Sequence, residues 1–305
     1  VSGRASDVVT AFTAELEKQK VSFRRARAHH IVIEDDLVSG VKTDRGFFPA
    51  NAVVLATGGL SYPRTGSTGD GYQMAEQAGH HIVPLAPSLV PLESEDGCCA
   101  AMQGLSLKNV ALRAKDGNGK TVYKDFGELL FTHFGLSGPM ILSASAHMRA
   151  FSQTNYQIIL DLKPALQEQA LDARVLRELH AGTNREFKTI LSTLLPRKMI
   201  SVVAKRCEIP EDQRANSITK NQRLRLVRLL KEFDISISGP RPIEDAVITS
   251  GGVELSQVNP STMESKLVAG LYFAGELLNA DGYTGGFNLQ IAWATGRMAG
   301  LNAAR

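Results

Sequence analysis

The chain has 305 residues, of which 43% are hydrophobic and 21% charged, and its formal net charge is +3 at pH 7. This length allows two or three domains whose cores are stable without disulfides. No apolar run approaches the ~20 residues that span a bilayer, and the opening residues resemble neither a signal nor a transit peptide. Three cysteines, Cys98, Cys99 and Cys207, cannot form a disulfide framework and lack metal-ligand spacing. We therefore expect a cytoplasmic protein with no membrane span and no metal site.

The N-terminal part alternates helix and strand patterns. Residues 8–21 carry apolar side chains at helical spacing, and residues 29–50 predict a β-meander. The apolar run at 52–56 ends in Thr57-Gly58-Gly59, a pattern typical of an interior parallel strand that enters a tight turn. A short helix follows near residue 70.

The middle of the chain has a different residue pattern, which predicts that one domain is nested within another. Short β segments with a hairpin turn at 116–119 come first. Residues 164–233 then have helical periodicity, and a β-strand pattern follows them. A strand near residue 272 and a helix after residue 287 end the chain. The predicted domains are an α/β cofactor-binding domain (residues 1–84 and 256–305), an inserted β domain (85–164 and 234–255) and a helical insert (165–233).

The closing stretch, GLYFAGELLNADGYTGGFNLQIAWATGRMAG, is dense in glycine. Gly275 and Glu276 follow a predicted strand, and Gly285-Gly286 precede a predicted helix. Glycines ahead of a helix expose backbone N–H groups at its positive end, where an electron-rich ligand atom is stabilised. A flavin fits, because its pyrimidine side gains negative charge on reduction. The alternative is a helix start whose glycines only permit close packing.

The turn at Thr57-Gly58-Gly59 is the second candidate cofactor contact. A strand that ends in Ala-Thr-Gly-Gly is typical of flavoproteins in which the backbone approaches the cofactor. Residues 69–75 mimic a GxGxxxA fingerprint, but no buried strand runs directly into them. We therefore expect these later glycines only to shape a loop and to begin a helix near Asp70.

Polar residues that could face a substrate are few. His133 lies in a loop shaped by glycines and a proline, and could donate a proton or anchor an anion. A structural role is the alternative for this histidine. Tyr62 and Arg64, which follow the glycine turn, are the other candidate catalytic residues.

The segment from residue 167 to residue 232 is basic. It holds 14 Lys and Arg against 8 Asp and Glu, a local charge of +6. Such a segment can attract the phosphates of a nucleic acid, but a solvated helical surface is the favoured explanation.

Three stretches together resemble the HI0933-like flavoproteins, a family also called YhiN or BaiN/RdsA-like NAD(P)/FAD-dependent oxidoreductases. They begin VVLATGGLSYPRTG, GELLFTHFGLSGPMIL and AVITSGGVEL, and the last continues into the glycine-rich closing stretch. The resemblance runs from Val1 to the C-terminus. It implies an α/β fold in which a glutathione-reductase-like (Rossmann-like) FAD-binding domain carries an inserted β-barrel-like domain and a nested helical domain.

The resemblance also implies contacts to FAD. Gly275 and Glu276 would approach the ribitol and phosphate side of the cofactor, and Thr57, Gly58 and Gly59 would line it. The isoalloxazine ring would meet the start of the last helix, at Gly285, Gly286, Phe287, Asn288, Leu289 and Gln290.

The chain departs from the family pattern at its start. Members begin with a strand and a GxGxxG turn for the FAD pyrophosphate, followed by an acidic residue and a GGGRCN-type segment, and none of these is present. We therefore expect an N-terminally truncated chain with an incomplete FAD domain, in which the strand at 52–56 lacks a neighbour. Such a chain is expected to bind FAD weakly or not at all.

Three functional hypotheses follow. The first is an FAD-dependent oxidoreductase that transfers a hydride between the flavin and a small organic substrate, with NADH or NADPH as the other electron carrier. The second is a flavin-dependent reductase that acts on a uridine base of ribosomal RNA through the basic helical insert. The third is a non-catalytic remnant that cannot hold FAD.

Overall fold

The computed structural model describes residues 3–305; Val1 and Ser2, which begin the predicted cofactor domain, lie outside the described residues. The helices are α1 (Ala5–Lys18), α2 (Asp70–Gln77), α3 (Gly97–Ala101), α4 (Pro139–Ser145), α5 (Glu168–Ala181), α6 (Phe187–Leu191), α7 (Arg197–Arg206), α8 (Lys220–Lys231) and α9 (Phe287–Ala303). The strands are β1 (Ala28–Glu34), β2 (Leu37–Thr43), β3 (Gly46–Pro49), β4 (Val53–Leu55), β5 (Ile82–Ser88), β6 (Leu92–Glu93), β7 (Ser106–Asp116), β8 (Thr121–Phe131), β9 (Gly135–Ser137), β10 (Tyr156–Asp161), β11 (Phe233–Ile237), β12 (Gly239–Pro240), β13 (Ile248–Val253) and β14 (Leu271–Phe273).

The predicted β-meander near the N-terminus is confirmed. β1, β2 and β3 form a three-stranded antiparallel sheet. Asp35 and Asp36 turn the chain between β1 and β2 with positive φ angles of 50° and 60°. Aspartate tolerates this left-handed conformation better than most residues, so two aspartates suit the tight turn between β1 and β2.

Strands from the two halves of the chain pair in parallel. β4 aligns with β14, with Val53 opposite Leu271 and Leu55 opposite Phe273. The N–H of Ala274 continues this pairing by donating to the Leu55 carbonyl at 2.9 Å. Because parallel strands end at the same edge of a sheet, the turns that follow β4 and β14 lie side by side.

The interior position expected for the strand at 52–56 is only partly observed. All three residues of β14 are buried, whereas in β4 only Leu55 is, and Val54 is 37% exposed. β4 has one paired neighbour in the described part of the chain, so its other edge offers unpaired backbone groups.

Residues between β5 and β13 build a larger antiparallel sheet of seven strands, in the order β11-β10-β7-β8-β9-β6-β12. The predicted hairpin between β7 and β8 is confirmed, since a carboxylate oxygen of Asp116 accepts from the N–H groups of Asn118 and Lys120 at 3.0 and 2.9 Å. Helices α5 to α8 fall between β10 and β11, and their apolar side chains share one core with the sheet.

β13 pairs with β5 in a separate two-stranded antiparallel sheet. The end of β13 also forms a parallel bridge from Val253 to Leu278, just after β14. The pair of β5 and β13 therefore connects the seven-stranded sheet to the ends of the parallel strands. Among residues 3–305, no helix is both long enough and apolar enough to cross a bilayer.

Candidate functional site

The glycine turns after β4 and β14 form one edge. Gly58 and Gly275 have φ angles of +75° and +73°, a conformation that side chains rarely adopt. A Cβ on Gly59 would lie 2.4 Å from Thr249 Oγ1 and 2.7 Å from Glu276 Oε1. The structure therefore brings the two turns together, and Gly59 is needed for that close approach.

Glu276 fixes this edge from inside. Its Oε1 accepts hydrogen bonds from the Ser61 hydroxyl and the Thr249 N–H, both at 2.7 Å. The Thr249 hydroxyl oxygen in turn accepts from the N–H groups of Leu60 and Ser61, at 2.8 and 3.1 Å. Ser61 and Thr249 are buried. One carboxylate oxygen of Glu276 thus joins three chain segments, a structural task that the sequence did not reveal.

Tyr72 of α2 packs beneath the same edge and donates its hydroxyl to the Glu276 carbonyl at 3.2 Å. Burial, and then the negative charge of Glu276, raise the pKa of Tyr72 well above its usual range, so the phenol stays neutral. α2 begins at Gly69 and Asp70, as expected for glycines that only shape a loop and start a helix.

Thr57 faces the same helix. Its hydroxyl oxygen is buried and has no hydrogen-bond partner within the described residues. A Cβ on Gly71 would approach that oxygen to 2.0 Å, so only glycine fits opposite Thr57. An unpaired buried hydroxyl beside the strand end is a group that a ligand or a water could satisfy.

The start of α9 is the open part of the site. Gly286 is the N-cap residue, with φ at 91°, and no side chain caps this 17-residue helix. A Cβ on Gly286 would meet no atom within 4 Å. The free N–H groups of the first turn and the helix dipole therefore make an uncapped positive end that faces open space.

Side-chain contacts hold α9 against the strand ends and tie its start to the preceding loop. The N–H of Gly275 donates to the Thr295 hydroxyl of α9 at 2.9 Å. The side-chain amide of Asn288 forms two hydrogen bonds with the backbone of Gly282. It accepts from the Gly282 N–H at 2.7 Å and donates to the Gly282 carbonyl at 2.9 Å. The loop before α9 is therefore closed back onto the first turn of the helix.

These features fit a flavin. The open, uncapped helix start offers N–H donors to an electron-rich ring edge. Phe287 and Leu289 lie exposed beside it and offer apolar contact, and Gln290 is exposed on the same turn. The structure thus brings the predicted contacts at 57–59 and 275–276 together, and α9, whose start carries those at 285–290, packs against Gly275.

No contact found among residues 3–305 joins His133 to Tyr62 or Arg64. Tyr62 and Arg64 are exposed on a short 3-10 turn after the first glycine turn, and Tyr62 has a φ of 50°. His133 lies exposed between β8 and β9, and its ring meets that of Phe134 edge-on at 5.1 Å. None of the contacts found for His133 reaches the strand ends or α9.

Functional candidates that the sequence analysis missed lie in the loop before α9. Asp281 accepts hydrogen bonds from Ser88 and Ser250 at 2.8 and 2.9 Å and pairs with Arg149 at 3.1 Å. The Tyr283 hydroxyl lies 2.9 Å from Nε2 of His147. Asp281 and Tyr283 stand directly before the glycines already singled out, which was a usable signal. Nothing local marked His147, because it lies 136 positions away.

A parallel strand pair that ends in glycine turns beside an uncapped helix start defines a mixed α/β, Rossmann-type cofactor-binding protein. The sequence profile of the HI0933-like protein Rossmann domain matches residues 1–302. The chain therefore belongs to the HI0933-like family. That family is one of FAD-dependent oxidoreductases, which is the class expected from the sequence.

Three curated relatives are similar over most of the chain. A "Ribosomal RNA dihydrouridine synthase" of Haemophilus influenzae is 34% identical over 83% of this chain and 60% of its own length. A "3-dehydro-bile acid delta(4,6)-reductase" of Clostridium scindens is 29% identical over 99% and 74%. A "Ribosomal RNA dihydrouridine synthase" of Escherichia coli is 30% identical over 95% and 70%. The chain thus spans 60% to 74% of the length of these relatives.

Solved structures give looser likenesses. The quinol fumarate reductase FrdA of E. coli has a TM-score of 0.40 at 20% identity, covering 96% of this chain and 47% of that one. GidA of Aquifex aeolicus has a TM-score of 0.37 at 14% identity, covering 97% and 49%. Superpositions as loose as these do not identify a function.

Proposed function

We propose that this protein is a flavoprotein oxidoreductase that transfers a hydride between FAD and a small organic substrate. The observation that carries the proposal is the open, uncapped start of α9 beside the paired turns after β4 and β14, in a member of the HI0933-like family. FAD supplies two-electron chemistry when it is bound. NADH or NADPH is proposed as the other electron carrier.

Different residues of the chain would contact different parts of the cofactor. The backbone at Gly285–Gly286 and the first turn of α9, to Gln290, hold the isoalloxazine ring, and their N–H groups stabilise the charge that its pyrimidine side gains on reduction. Thr57, Gly58 and Gly59 line the cofactor. Gly275 and Glu276 approach its ribitol side, with the second carboxylate oxygen of Glu276 as the available acceptor, since Oε1 holds Ser61 and Thr249.

The names of the relatives support a substrate class. Dihydrouridine and a bile acid reduced at its delta(4,6) bonds both arise by adding two hydrogens across a C=C bond conjugated with a carbonyl group. We propose a substrate with such a bond, bound above α9 and next to the loop that carries Asp281 and Tyr283. This loop meets the seven-stranded sheet there, which supports a substrate wall made by the inserted region.

The nested organisation remains part of the proposal, with the domain bounds given above. Only Ser238 separates β11 from β12, yet β11 pairs with β10 and β12 pairs with β6. The two edges of the sheet are thus consecutive pieces of one chain stretch, which supports a barrel-like closure. Three free, buried thiols support a reducing compartment such as the cytoplasm.

The test uses the purified protein with FAD, reduced anaerobically by NADH or NADPH and then mixed with cyclohexenone, testosterone or uridine. Return of the oxidised flavin spectrum with a saturated product is the expected result. A flavin that none of these compounds reoxidises would contradict the proposal.

A matched pair of variants sharpens this test. Gly286→Ala and Gly46→Ala both put a Cβ at a positive φ with no atom within 4 Å, and only Gly286 lies at the site. Gly286→Ala is expected to weaken FAD binding by about tenfold, which corresponds to about 1.4 kcal/mol, whereas Gly46→Ala leaves it unchanged. Equal effects of the two substitutions would refute the placement of the flavin.

A ribosomal RNA substrate is the second candidate, because two relatives carry the name of ribosomal RNA dihydrouridine synthases. The helical segment supports it only weakly, since several of its cations are already paired within the protein: Lys188, Arg206, Arg223, Arg225 and Lys231. Salt-dependent binding of ribosomal RNA is its test, and no binding at low salt would contradict it.

A further inference from the structure

A stack of three rings joins the loop before α9 to the seven-stranded sheet. His147, which follows α4, lies between Tyr123 of β8 and Tyr283, with ring centroids 4.9 and 5.5 Å away. The ring planes are inclined by 22° and 23°, so both contacts are stacked. The Tyr283 hydroxyl and His147 Nε2 also form the 2.9 Å hydrogen bond described above. Two separate parts of the chain therefore make one aromatic unit.

Tyr123 is the fixed base of this unit. Its hydroxyl donates to Asp125 Oδ2 at 2.8 Å. Burial, and then the hydrogen bond with Asp125, raise the pKa of Tyr123 to about 12. Tyr123 is therefore a neutral platform that holds the plane of the His147 ring.

Tyr283 is held on both sides in sequence. Asp281 is anchored by Ser88, Ser250 and Arg149, and Gly282 is gripped at both backbone groups by Asn288. Between these anchors the Tyr283 side chain is 49% exposed. The backbone of Tyr283 is thus fixed, two residues before Gly285. Its phenol has one hydrogen-bond partner and one open side.

We propose that Tyr283 is the proton donor of the reaction and that His147 is the positioning residue that holds its hydroxyl. This inference rests on the proposed function, because it assigns the proton that must accompany the hydride. His147 in the tautomer that carries hydrogen on Nε2 donates to the Tyr283 oxygen. The phenolic O–H then points to the open side, toward the substrate.

The step balances with reduced flavin as the two-electron reductant. The β-carbon of the conjugated C=C bond accepts a hydride from the reduced flavin, and the π electron pair moves toward the carbonyl. The O–H bond of Tyr283 breaks, and its proton forms the new C–H bond at the α-carbon. The tyrosinate oxygen takes a proton from water, and His147 keeps its Nε2–H and holds that oxygen throughout. NADH or NADPH reduces the oxidised flavin again.

His147 stabilises the tyrosinate that forms, because its N–H already points at the oxygen and needs no rearrangement. The exposed His133, Tyr62 and Arg64 have no such partner among the contacts found, so nothing fixes their direction. A positioned general acid contributes about 10²–10⁴-fold to rate, and this sets the size of the effect expected on removing the Tyr283 hydroxyl.

The first test separates the two half-reactions of the FAD-loaded protein, with cyclohexenone as the probe. Tyr283→Phe is expected to slow reoxidation of the reduced flavin by cyclohexenone by about 10²–10⁴-fold, while reduction by NADPH and the KM for cyclohexenone stay the same. His147→Gln, which keeps an N–H donor, is expected to retain more activity than His147→Ala. His180→Gln, an exposed histidine on α5, is the control and leaves both half-reactions unchanged.

The second test needs no flavin. Histidine ring nitrogens of the 305-residue protein are followed by NMR with and without Tyr283→Phe. The signal of His147 is expected to shift, and that of His180 to stay in place. An unmoved His147 signal would show that the hydrogen bond does not exist in solution and would overturn the proposal.

Other results would also contradict either the assignment of Tyr283 or the proposed function. A loss below about threefold in Tyr283→Phe, or an equal loss in both half-reactions, overturns the assignment, because the second pattern marks a purely structural role. A wild-type protein that reduces none of the three probes contradicts the proposed function itself. A protein that reduces cyclohexenone equally well with and without the Tyr283 hydroxyl contradicts only this inference.

Discussion

The seven-stranded sheet with its helices and the α/β part built from the chain ends differ most in how they are buried. The first has a continuous core whose members, such as Phe131, Phe187 and Phe233, are fully buried. In the second, α1 has no buried residue and α9 buries only Ala299, while Phe287, Leu289 and Trp293 are at least half exposed.

This difference bears on function, because the start of α9, the open part of the candidate site, lies among exposed side chains. Few apolar contacts hold α9 beyond its bonds to the strand ends. We therefore expect the free energy of local unfolding to be low in this region. A ligand that binds there adds its binding free energy to the folded state. The Tyr283 loop is instead anchored to the region of the seven-stranded sheet, through Arg149 and His147.

Removing a ring from the core of the sheet should have the largest effect on stability. Phe131→Ala leaves a cavity in a fully buried position and is expected to cost about 3–5 kcal/mol of unfolding free energy. Phe287→Ala on α9, where the ring is 59% exposed, is expected to cost less than about 0.5 kcal/mol. Chemical denaturation of both variants measures the contrast. Similar losses would show that the two regions are equally well packed.

Adding one methyl group at the strand-end turn should have the next largest effect. Gly59→Ala forces Thr249 and Glu276 apart and is expected to cost about 1–3 kcal/mol. Gly97→Ala in α3 is the matched control, because a Cβ there meets nothing within 4 Å. Urea midpoints of the two variants compare them. An unchanged midpoint for Gly59→Ala would refute the close approach of the two turns.

Helix capping gives a smaller effect. Thr219 and Gln222 form a capping box at the start of α8, whereas no side chain caps α1. Thr219→Ala is expected to cost about 1 kcal/mol, and Ser6→Ala, in the first turn of α1, almost nothing. Thermal unfolding followed by circular dichroism measures both. Equal shifts in Tm would contradict the assignment of the box.

The smallest effect is a pH dependence in the core behind β14. His80 is buried and bonds to the Ser265 hydroxyl at 2.9 Å, and burial lowers its pKa from the ordinary value of 6.5. The folded protein therefore keeps His80 neutral where the unfolded chain begins to bind a proton. This contribution to stability is complete above about pH 6.5 and is lost as the pH falls toward the lowered pKa of the folded state.

The difference between wild type and His80→Gln isolates this contribution. The unfolding free energy of the wild type should fall more steeply than that of the variant between about pH 7 and about pH 5. Parallel pH profiles would show that His80 titrates equally in the folded and unfolded chains.

The sequence predicted those parts of the fold that local patterns determine. The meander, the hairpin at Asp116, the strand before Thr57 and the helix after Gly286 each have turn or periodicity signals within a few residues. The strands β4 and β14 followed from apolar runs that end in glycine, whereas their parallel pairing with each other was not predicted. Both glycine turns and the helix start were therefore found before the fold was known.

Long-range contacts were not predictable in this way. The hydrogen bond of Glu276 to Ser61 spans 215 positions, and no local pattern distinguishes a carboxylate that fixes a loop from one that faces a ligand. The proposed role of His147 likewise depends on its hydrogen bond to Tyr283, which lies 136 positions away. His133 attracted notice through its glycine-rich loop, but glycine marks backbone shape and does not say what a neighbouring side chain contacts.

The start of α9 and the two glycine turns are proposed to bind the flavin. Titration of FAD into the ¹⁵N-labelled 305-residue protein, with backbone amides followed by NMR, tests this even where binding is weak. Shifts are expected at Phe287 to Gln290 and at Thr57 to Gly59, with no change in α5 to α8. Shifts confined to the helical segment, or no shifts at millimolar FAD, would contradict it.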